Sequence, residues 1–458
     1  RGLGDVYKRQ RMQLAAETSG KNAIVVSPFA DLDQAAADLS KSAFGHAGQK
    51  CSAASLGILI GSVYENKQFL KQLIDAVSSM KVGYGSQSDA SVGPLIELPS
   101  PKLDRALTTL EPGESWLLEP KQLDDSGRLW RPGVKIGVKK GSFFHLTECF
   151  GPVLGLMKAN SLEQALELQN GTDFGLTAGI HSLNVDEISL WLKKIEAGNL
   201  YVNRGITGAI VERQPFGGFK RSSVGWGLKA GGRNYLLQFG RFVEKQEAVS
   251  TKPVELQERV SSYLAQVSKH LDSPQEMQWL ESCAASDSYW HKELYARDAY
   301  GLSLAKGDMA NEANFHRYLS LPNVIVRVCR IASKTQVVRI VMAAKLAGTA
   351  IQISFDKSFV TSRNLTKQQL DVLAGGFKYS LSDEENFKPQ VLPGTKLILV
   401  GPREAGISEL QENPDLFVFG NEITRSGRIT LLMLMREQAI SVTQHRFGAI
   451  QSELVSIL

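Results

Sequence analysis

Residues 44–52 place a cysteine in a setting that suits a nucleophile. Small residues surround Cys51 in the sequence FGHAGQKCS, and they leave its sulfur accessible on a backbone that can approach a substrate closely. If the apolar run 53–60 is helical, Cys51 lies at its start, where the helix dipole, free N–H groups and Lys50 favour a thiolate. A backbone N–H there can also help to hold an oxyanion. The segment indicates a reactive thiol, although a cysteine at a helix start is often only packed.

Three further segments could take part in the same chemistry. Glu17 lies in the sequence ETSGKN, where a carboxylate beside a flexible Ser-Gly turn can act as a general base, although a solvated turn acid is the commoner role. Residues 148–153 read ECFGPV. Residues 203–218 form a long glycine-rich segment, and exposed N–H groups of such a backbone can bind a carboxylate without a cation.

Together these segments resemble the aldehyde dehydrogenase superfamily over residues 12–240. Residues 44–51 follow its pattern F-x-x-x-G-Q-x-C, residues 17–21 its E-L-G-G-K segment with two substitutions, and residues 148–153 its E-x-F-G-P-V. With the glycine-rich segment 203–218, four motifs occur in the order and spacing of that family. The resemblance therefore implies a thiol that reacts with an aldehyde.

The resemblance implies a role for each matching residue. Cys51 would attack the aldehyde carbon, and Glu17 would activate the water that hydrolyses the resulting thioester. Glu148 and Phe150 would contact the ribose and ring region of the nicotinamide cofactor, NAD. Cys149 has no role in the family and is expected to be a packed or partly exposed thiol.

One branch of the family matches in more detail. The sequence T-G-A-x-V-x-R-Q-P-F-G-G from Thr207 is similar to the branch that oxidises L-glutamate γ-semialdehyde, the open form of Δ1-pyrroline-5-carboxylate. The resemblance implies that Ser52, Gly208 and Ala209 anchor the substrate's α-carboxylate, the last two through backbone N–H groups. That branch often has Arg four residues after the cysteine. This chain has Ser55 there, so contacts from that position differ.

The elements that must position these residues alternate between strand and helix. Residues 23–26 predict a strand and residues 31–44 a helix. Asn184 can cap a helix whose apolar residues recur at i, i+3, i+4 and i+7, and Gly198 sits where a glycine often follows a helix. Residues 200–202 predict a strand. This alternation indicates an α/β layer architecture.

The second half of the chain predicts a smaller α/β unit. Residues 256–320 read mainly as helix. Later elements alternate as strand, helix, strand, strand and strand at 324–328, 337–346, 350–353, 397–400 and 416–419. The helix is closed by Gly348. No glycine-rich pattern follows the first of these strands, so no phosphate cradle is predicted there.

The expected fold is therefore α/β, an aldehyde dehydrogenase catalytic domain followed by a smaller Rossmann-like domain of the superfamily type. The expected divisions are a non-native leader, a remnant of the cofactor-binding domain, the catalytic domain and a non-catalytic C-terminal domain, at 1–10, 11–29, 30–246 and 256–458. The polar segment 242–255 reads as a linker. The family's cofactor-binding core lies upstream of Glu17, so the chain alone is expected to be inactive.

The end of the chain carries a second, more diffuse resemblance. Residues 423–448 resemble the C-terminal end of long members of the proline utilization A family, in which a proline dehydrogenase domain precedes the aldehyde dehydrogenase. The resemblance implies such a domain upstream in the same chain and assembly into a homo-oligomer. The apolar segment 429–435 is expected to dock across the catalytic half or a second subunit, because exposing it would be unfavourable.

Composition excludes several other classes of protein. The 458 residues are 43% hydrophobic and 22% charged with a net charge of +5, and no basic block marks a nucleic-acid or membrane surface. No apolar run is long enough to predict a membrane span. The four cysteines lack CxxC spacing, which argues against a metal site or a disulfide scaffold and fits a reducing cytoplasm.

Two other functions remain open from the sequence. A thiol hydrolase could pair Cys51 with His46, but their spacing on a glycine-rich loop is poor for holding an imidazole, and no orienting acid is evident nearby. The chain could also be a non-catalytic module that serves assembly or covers a substrate channel.

Overall fold

The fold is taken from a computed structural model, which describes residues 14–211, 213–244, 255–295, 312–402, 410, 413–443, 445–446 and 449–450. The strands are β1 Ala16–Glu17, β2 Asn22–Val26, β3 Ala54–Ile60, β4 Ser115–Leu118, β5 Lys121–Gln122, β6 Trp130–Arg131, β7 Gly133–Ile136, β8 Val153–Ala159, β9 Phe174–Gly175, β10 Thr177–His181, β11 Asn199–Val202, β12 Phe219–Lys220, β13 Ser223–Val224, β14 Glu312–Ser320, β15 Val324–Val328, β16 Ile351–Asp356, β17 Tyr379–Ser382, β18 Thr395–Val400, β19 Leu416–Phe419, β20 Met435–Thr443, β21 His445–Arg446 and β22 Ala449–Ile450.

The α-helices are α1 Leu32–Phe44, α2 Ser62–Glu65, α3 Lys67–Ser78, α4 Pro101–Thr108, α5 Phe143–Leu146, α6 Leu162–Asn170, α7 Val185–Lys194, α8 Glu258–Val267, α9 Pro274–Tyr295, α10 Lys334–Ala347, α11 Lys357–Thr361, α12 Lys367–Ala374 and α13 Gly427–Leu432. Short 3₁₀ turns occur at Gly45–Gly48, Tyr235–Phe239 and Ser268–His270. Over the described ranges, none of the helices has the length and apolar character that crossing a membrane requires.

We call residues 14–244 the catalytic half, after the predicted catalytic domain, and the residues from 255 onward the C-terminal half. A nine-stranded sheet organises the catalytic half, in the order β14-β20-β11-β10-β2-β3-β8-β7-β4. The strands from β20 through β7 run parallel to one another, and the edge strands β14 and β4 pair antiparallel with their neighbours. The strands β2, β10 and β11 are buried along their whole length. Burial on both faces explains their continuous apolar sequences, as is typical of parallel sheets.

Helices whose capping residues were evident in the sequence form as predicted. α1 follows Asp31, whose carboxylate accepts the backbone N–H of Gln34 at 3.2 Å. α7 follows Asn184, whose side chain accepts the first free N–H groups. The predicted role of Gly198 is wrong, because α7 ends at Lys194. A Cβ on Gly198 would lie 1.8 Å from the Gly217 carbonyl oxygen, so this glycine is required by close backbone packing.

The apolar run after Cys51 is strand β3, and the predicted helix is wrong. β3 lies between β2 and β8 in the large sheet, and all but one of its residues are buried. A short apolar run fits a buried strand and a buried helix equally well, and the pairing partners decided between them. No helix dipole therefore acts on Cys51.

The C-terminal half contains the predicted smaller α/β unit. Its five-stranded sheet has the order β17-β16-β15-β18-β19 and is parallel throughout. α10 begins with a capping box between Ser333 and Gln336 and ends at Gly348, which has φ +66°. The predicted βαβ unit is confirmed. The loop from β15 to α10 contains no glycine.

Residues 256–320 are only partly helical. The helices α8 and α9 form as predicted, but the segment Glu312–Ser320 is strand β14, which pairs antiparallel with β20. Ala313 and Phe315 of β14 join the core of the large sheet. This pairing with a strand from the end of the chain overrides the helix that the local sequence predicts. The large sheet therefore takes β14 and β20 from beyond residue 256.

The apolar segment near the chain end docks differently from the prediction. The side chains of Leu431, Leu432 and Leu434 are fully buried in the core of the C-terminal half. The strand that follows, β20, is the part that crosses to the catalytic half, where Ala439 pairs with Asn199 of β11. Most of the predicted linker, residues 245–254, lies outside the described residues.

Candidate active site

Three candidate segments converge because each precedes one of three neighbouring parallel strands. Glu17 lies ahead of β2, Cys51 ahead of β3 and Glu148 ahead of β8, and these strands are adjacent and parallel. The amino ends of adjacent parallel strands share one edge of the sheet. The fold therefore gathers the predicted nucleophile and the two carboxylates, although open α/β sheets more often bind ligands at the carboxyl edge.

Cys51 is exposed, whereas the other three cysteines are buried. Partial desolvation raises the pKa of Cys51, the backbone N–H groups of Cys51 and Ser52 lower it, and the carboxylates of Glu148 and Glu17 raise it. The thiol therefore needs a base before it can react as a thiolate. The same two N–H groups are available to an oxygen anion formed beside the sulfur.

Asn22 holds the loop that carries the nucleophile. Its Nδ2 donates to the carbonyl oxygens of Cys51 at 2.8 Å and Ala53 at 3.0 Å, and its Oδ1 accepts the backbone N–H of Thr177 at 3.0 Å. The side chain is only 2% exposed, and buried amides are normally satisfied in this way. The sequence analysis did not identify Asn22 as a positioning residue. The available signal was a polar residue at the start of a buried strand.

Glu17 is anchored, whereas the sequence predicted a flexible turn. It lies in β1, opposite Ser223 of β13, and its Oε2 accepts the backbone N–H of Gly218 at 2.8 Å. Glu17 is exposed by surface area, but its carboxylate oxygens lie against the backbone of Gly217 and Gly218. Desolvation raises the pKa of Glu17 to about 7, against the opposing effects of Lys229, the Gly218 N–H and Lys396. A carboxylate with this pKa can exchange a proton near neutral pH.

Glu148 links the segments before β2 and β8. Its Oε1 accepts the backbone N–H of Gly20 at 2.9 Å, and the side chain is half-buried. Phe150 is also half-buried and has a left-handed backbone with φ +59°. Gln49 Nε2 donates to the Phe150 carbonyl at 3.3 Å. These contacts join Glu148 and Phe150 to the segments that carry Glu17 and Cys51, and Glu148 lies close enough to raise the pKa of Cys51.

The turn before the nucleophile has an unusual backbone. His46, Ala47 and Gly48 have φ values of +58°, +54° and +67°. A Cβ on Gly48 would lie 2.4 Å from the Gly151 carbonyl oxygen, so only glycine allows this approach to the segment before β8. The imidazole of His46 is exposed, and its backbone forms part of the turn.

The predicted carboxylate-binding residues lie in different environments. Gly208 is exposed with φ +84°, and a Cβ there would have no atom within 4 Å. Ala209 is half-buried. Ser52 is only 6% exposed, and its carbonyl accepts the Thr177 hydroxyl at 3.4 Å. The described contacts place Ser52 beside Cys51 and leave space around the backbone of Gly208.

Two buried lysines near Glu17 were not identified from the sequence. Lys229 Nζ donates to Asn199 Oδ1 at 3.1 Å and to the Gly217 carbonyl. Desolvation lowers the pKa of Lys229 to about 8 and that of Lys396 to about 8, and Glu17 opposes both shifts. Neither lysine belongs to a recognised motif. Only the fold brings them to the carboxylate.

Residues 5–243 match the family model described as "Aldehyde dehydrogenase family". The chain therefore belongs to the aldehyde dehydrogenase family. This agrees with the cysteine and the two carboxylates that lie at one edge of its large sheet. Among curated proteins it is similar to 1-pyrroline-5-carboxylate dehydrogenase of Bacillus licheniformis, with 39% identity over 227 residues, which cover 49% of this chain and 43% of that protein. The corresponding protein of Bacillus subtilis is 37% identical over 228 residues, with the same coverage.

A solved structure resembles nearly the whole chain. Proline utilization A from Corynebacterium freiburgense superposes with a TM-score of 0.80 at 41% identity, covering 98% of this chain and 41% of that one. This similarity extends beyond the family match into the C-terminal half. The chain spans about two fifths of the length of the proteins it matches.

Proposed function

We propose that the parent protein of this chain oxidises L-glutamate γ-semialdehyde to glutamate with NAD, through a thioester on Cys51. The observation that carries the proposal is the common sheet edge that holds Cys51, Glu17 and Glu148. The named similarity to 1-pyrroline-5-carboxylate dehydrogenases and the sequence from Thr207 support this substrate.

The residues at this edge fit a nicotinamide nucleotide. Glu148 is held through one oxygen by the Gly20 N–H, and a fixed carboxylate is a common acceptor for ribose hydroxyls. Phe150 lies beside it with a left-handed backbone, a strained conformation that often occurs at binding sites. Glu148 and Phe150 would contact the nicotinamide riboside, and NAD supplies the hydride acceptor when it is bound.

The first half of the reaction forms a carbon–sulfur bond. The pKa of the Cys51 thiol is raised, so the sulfur is protonated at first. It must lose this proton before it reacts, because the thiolate is the nucleophile. The thiolate then adds to the aldehyde carbon, and the N–H groups of Cys51 and Ser52 can stabilise the negative oxygen. A bound NAD would supply the acceptor for the hydride that leaves this carbon, and Cys51 would then carry the thioester.

The second half of the reaction breaks that bond with water. Glu17, whose pKa is about 7, would remove a proton from the water as it attacks the thioester carbon. The carbon–sulfur bond then breaks, which releases glutamate and restores Cys51. Ser52 and the backbone N–H groups of Gly208 and Ala209 would hold the α-carboxylate through both steps.

The whole protein is proposed to be larger and bifunctional. The similarity to proline utilization A supports a proline dehydrogenase domain upstream in the same chain and assembly into a homo-oligomer. Residues 11–29 would then follow an upstream cofactor-binding domain, although their strand β2 joins the catalytic sheet between β10 and β3. Residues 30–246 would form the rest of the catalytic domain, and residues 256–458 the C-terminal domain. The position of β20 within the large sheet supports an assembly role for the C-terminal part.

The proposal is tested by replacing cysteines in the full-length parent enzyme. Cys51→Ala should abolish NADH formation from glutamate semialdehyde, because Cys51 is the exposed thiol and the other three cysteines are buried. The matched control is Cys149→Ala, which removes a buried thiol at the same sheet edge and should keep most of the activity. The measurement is NADH absorbance with added semialdehyde. Full activity of Cys51→Ala, or an inactive parent enzyme, would refute the proposal.

A further inference from the structure

A lysine of the C-terminal half reaches the strand pair that carries Glu17. Lys396, the second residue of β18, is 7% exposed and donates from Nζ to the Gly225 carbonyl. Gly225 has φ +101°, and a Cβ there would lie 2.3 Å from the Leu14 carbonyl oxygen. The preceding residue, Val224, pairs with Ala16. Lys396 is therefore bonded to the backbone that packs against the Glu17 strand.

Further geometry places the ammonium group close to the carboxylate site. A Cβ on Gly227 would lie 3.5 Å from Ser223 Oγ and 4.0 Å from Lys396 Nζ, so the hydroxyl and the ammonium flank the same space. Ser223 is opposite Glu17 in the β1–β13 pair. Ser223, Lys396 and Gly218, which donates to Glu17, line one cavity of about 480 Å³ between the two halves.

Lysine charges act on Glu17, and the charge of Glu17 acts on Lys396. Lys229, from the loop after β13, and Lys396, from β18, lower the pKa of Glu17, while Glu17 in turn raises the pKa of Cys51. For Lys396, burial lowers the pKa and Glu17 is the charged group that opposes this shift. Its Nζ also lies 5.4 Å from the centre of the Phe417 ring. A buried ammonium needs compensation from a nearby anion or acceptor. The Gly225 carbonyl accepts its hydrogen bond, and Glu17 supplies the opposing charge.

We infer that Lys396 is a positioning residue for thioester hydrolysis, because its buried ammonium stabilises the carboxylate form of Glu17. The C-terminal half would then contribute directly to the chemistry of the catalytic half. This inference rests on the proposed function, in which Glu17 is the general base. Lys396 itself touches neither the substrate nor the reacting atoms. Its effect should therefore appear in the step that uses Glu17 and not in the formation of the thioester.

The test compares Lys396→Met, which removes the charge, with Lys396→Arg, which keeps it, in the full-length enzyme. Rapid mixing with NAD and glutamate semialdehyde separates the NADH burst from the slower steady state. For Lys396→Met, the NADH burst should keep its amplitude. The acidic side of the pH profile of the steady-state rate (its acidic limb) should shift to higher pH by about one unit, which is about a tenfold lower rate at a given pH on that side. Lys396→Arg should restore the original limb.

The matched control is Lys220→Met. Lys220 lines the same cavity but is bound to the carbonyls of Asn170 and Thr172 and to Glu196. Its replacement should leave the acidic limb of the steady-state rate at the same pH. Circular dichroism checks folding, and Lys396→Gln replaces Lys396→Met if that variant does not fold.

Two results would overturn the inference. One is an unchanged pH limb in Lys396→Met. The other is a rate that falls equally at every pH and is not restored by arginine, since that pattern indicates a purely structural role. Failure of the proposed function would be distinguishable, because the unmodified enzyme would then give no NADH burst with the semialdehyde.

Discussion

At the scale of single residues, Glu17 shows how an anchored carboxylate can remain a useful base. Desolvation raises its pKa to about 7, and two lysine ammonium groups and the Gly218 N–H limit the rise. Full burial without those groups would leave the acid neutral at physiological pH, whereas full hydration would make it a weak base. The opposing effects leave the carboxyl group partly ionised near neutrality.

This balance predicts the pH dependence of the proposed hydrolysis. A general base must be deprotonated to act, so deacylation should fall about tenfold for each pH unit below 7 and level off above it. In the full-length enzyme, Glu17→Gln should retain the NADH burst and slow subsequent turnover by about 10²–10⁴-fold. Rapid-mixing kinetics measures both phases. Loss of the burst in a folded Glu17→Gln protein would assign Glu17 to thiolate formation instead.

At the scale of secondary-structure elements, β20 links the two halves and holds the loop that carries Lys229. Its Glu437 is 1% exposed, accepts the backbone N–H of Lys229 at 2.7 Å, and accepts Asn234 Nδ2 at 2.7 Å. Lys229 in turn contacts Asn199 and Gly217. The strand therefore fixes the loop that holds one of the two ammonium groups near Glu17.

Glu437→Leu should loosen that loop. It removes the acceptor for two buried donors, which should lower the free energy of unfolding by about 2–4 kcal/mol. Displacement of Lys229 should also raise the pKa of Glu17, so the acidic limb of deacylation should move to higher pH. Thermal unfolding and pH–rate profiles measure the two effects.

The neighbouring residue supplies the control for this prediction. Gln438 is fully buried and bonds Ala197 and Arg317. Gln438→Leu should destabilise the fold but leave the pH limb unchanged. The same limb shift in both variants would mean that general loosening of the sheet, and not the Lys229 loop, controls Glu17.

At the scale of the whole molecule, the two halves share a sheet and a hydrophobic core. The large sheet receives β14 and β20 from the C-terminal half, while Trp226 and Leu228 of the catalytic half enter the C-terminal core. The smaller sheet resembles a dinucleotide-binding fold, but its β15–α10 loop has no glycine to admit a pyrophosphate. A non-catalytic role for this sheet therefore stays a prediction of the sequence.

The 458-residue chain alone is consequently predicted to bind NAD weakly and to show no turnover of aldehyde. Glu148 and Phe150 can contact only one end of the cofactor, so we expect a Kd weaker than about 1 mM, or roughly −4 kcal/mol. Isothermal titration calorimetry of this chain measures the affinity, with the full-length enzyme as the positive control. A micromolar Kd for the chain alone would show that it holds a complete cofactor site.

The amino-acid sequence by itself determined the family and much of the local structure. Cys51 and Glu17 stood out through their neighbours, and Asn184 marked a helix start that the structure confirms. Such features depend on residues a few positions apart, so they can be recognised without the fold. The family was evident for the same reason, since its motifs are short and contiguous.

Only the tertiary structure decided the features that depend on distant partners. The run after Cys51 is a strand because β2 and β8 flank it, and Glu312–Ser320 is a strand because β20 pairs with it. The donor to the Glu17 carboxylate lies 201 residues away in sequence. The pKa of Glu17 depends on desolvation and on lysines from two separate elements. These are properties of the packed chain, and no local pattern specifies them.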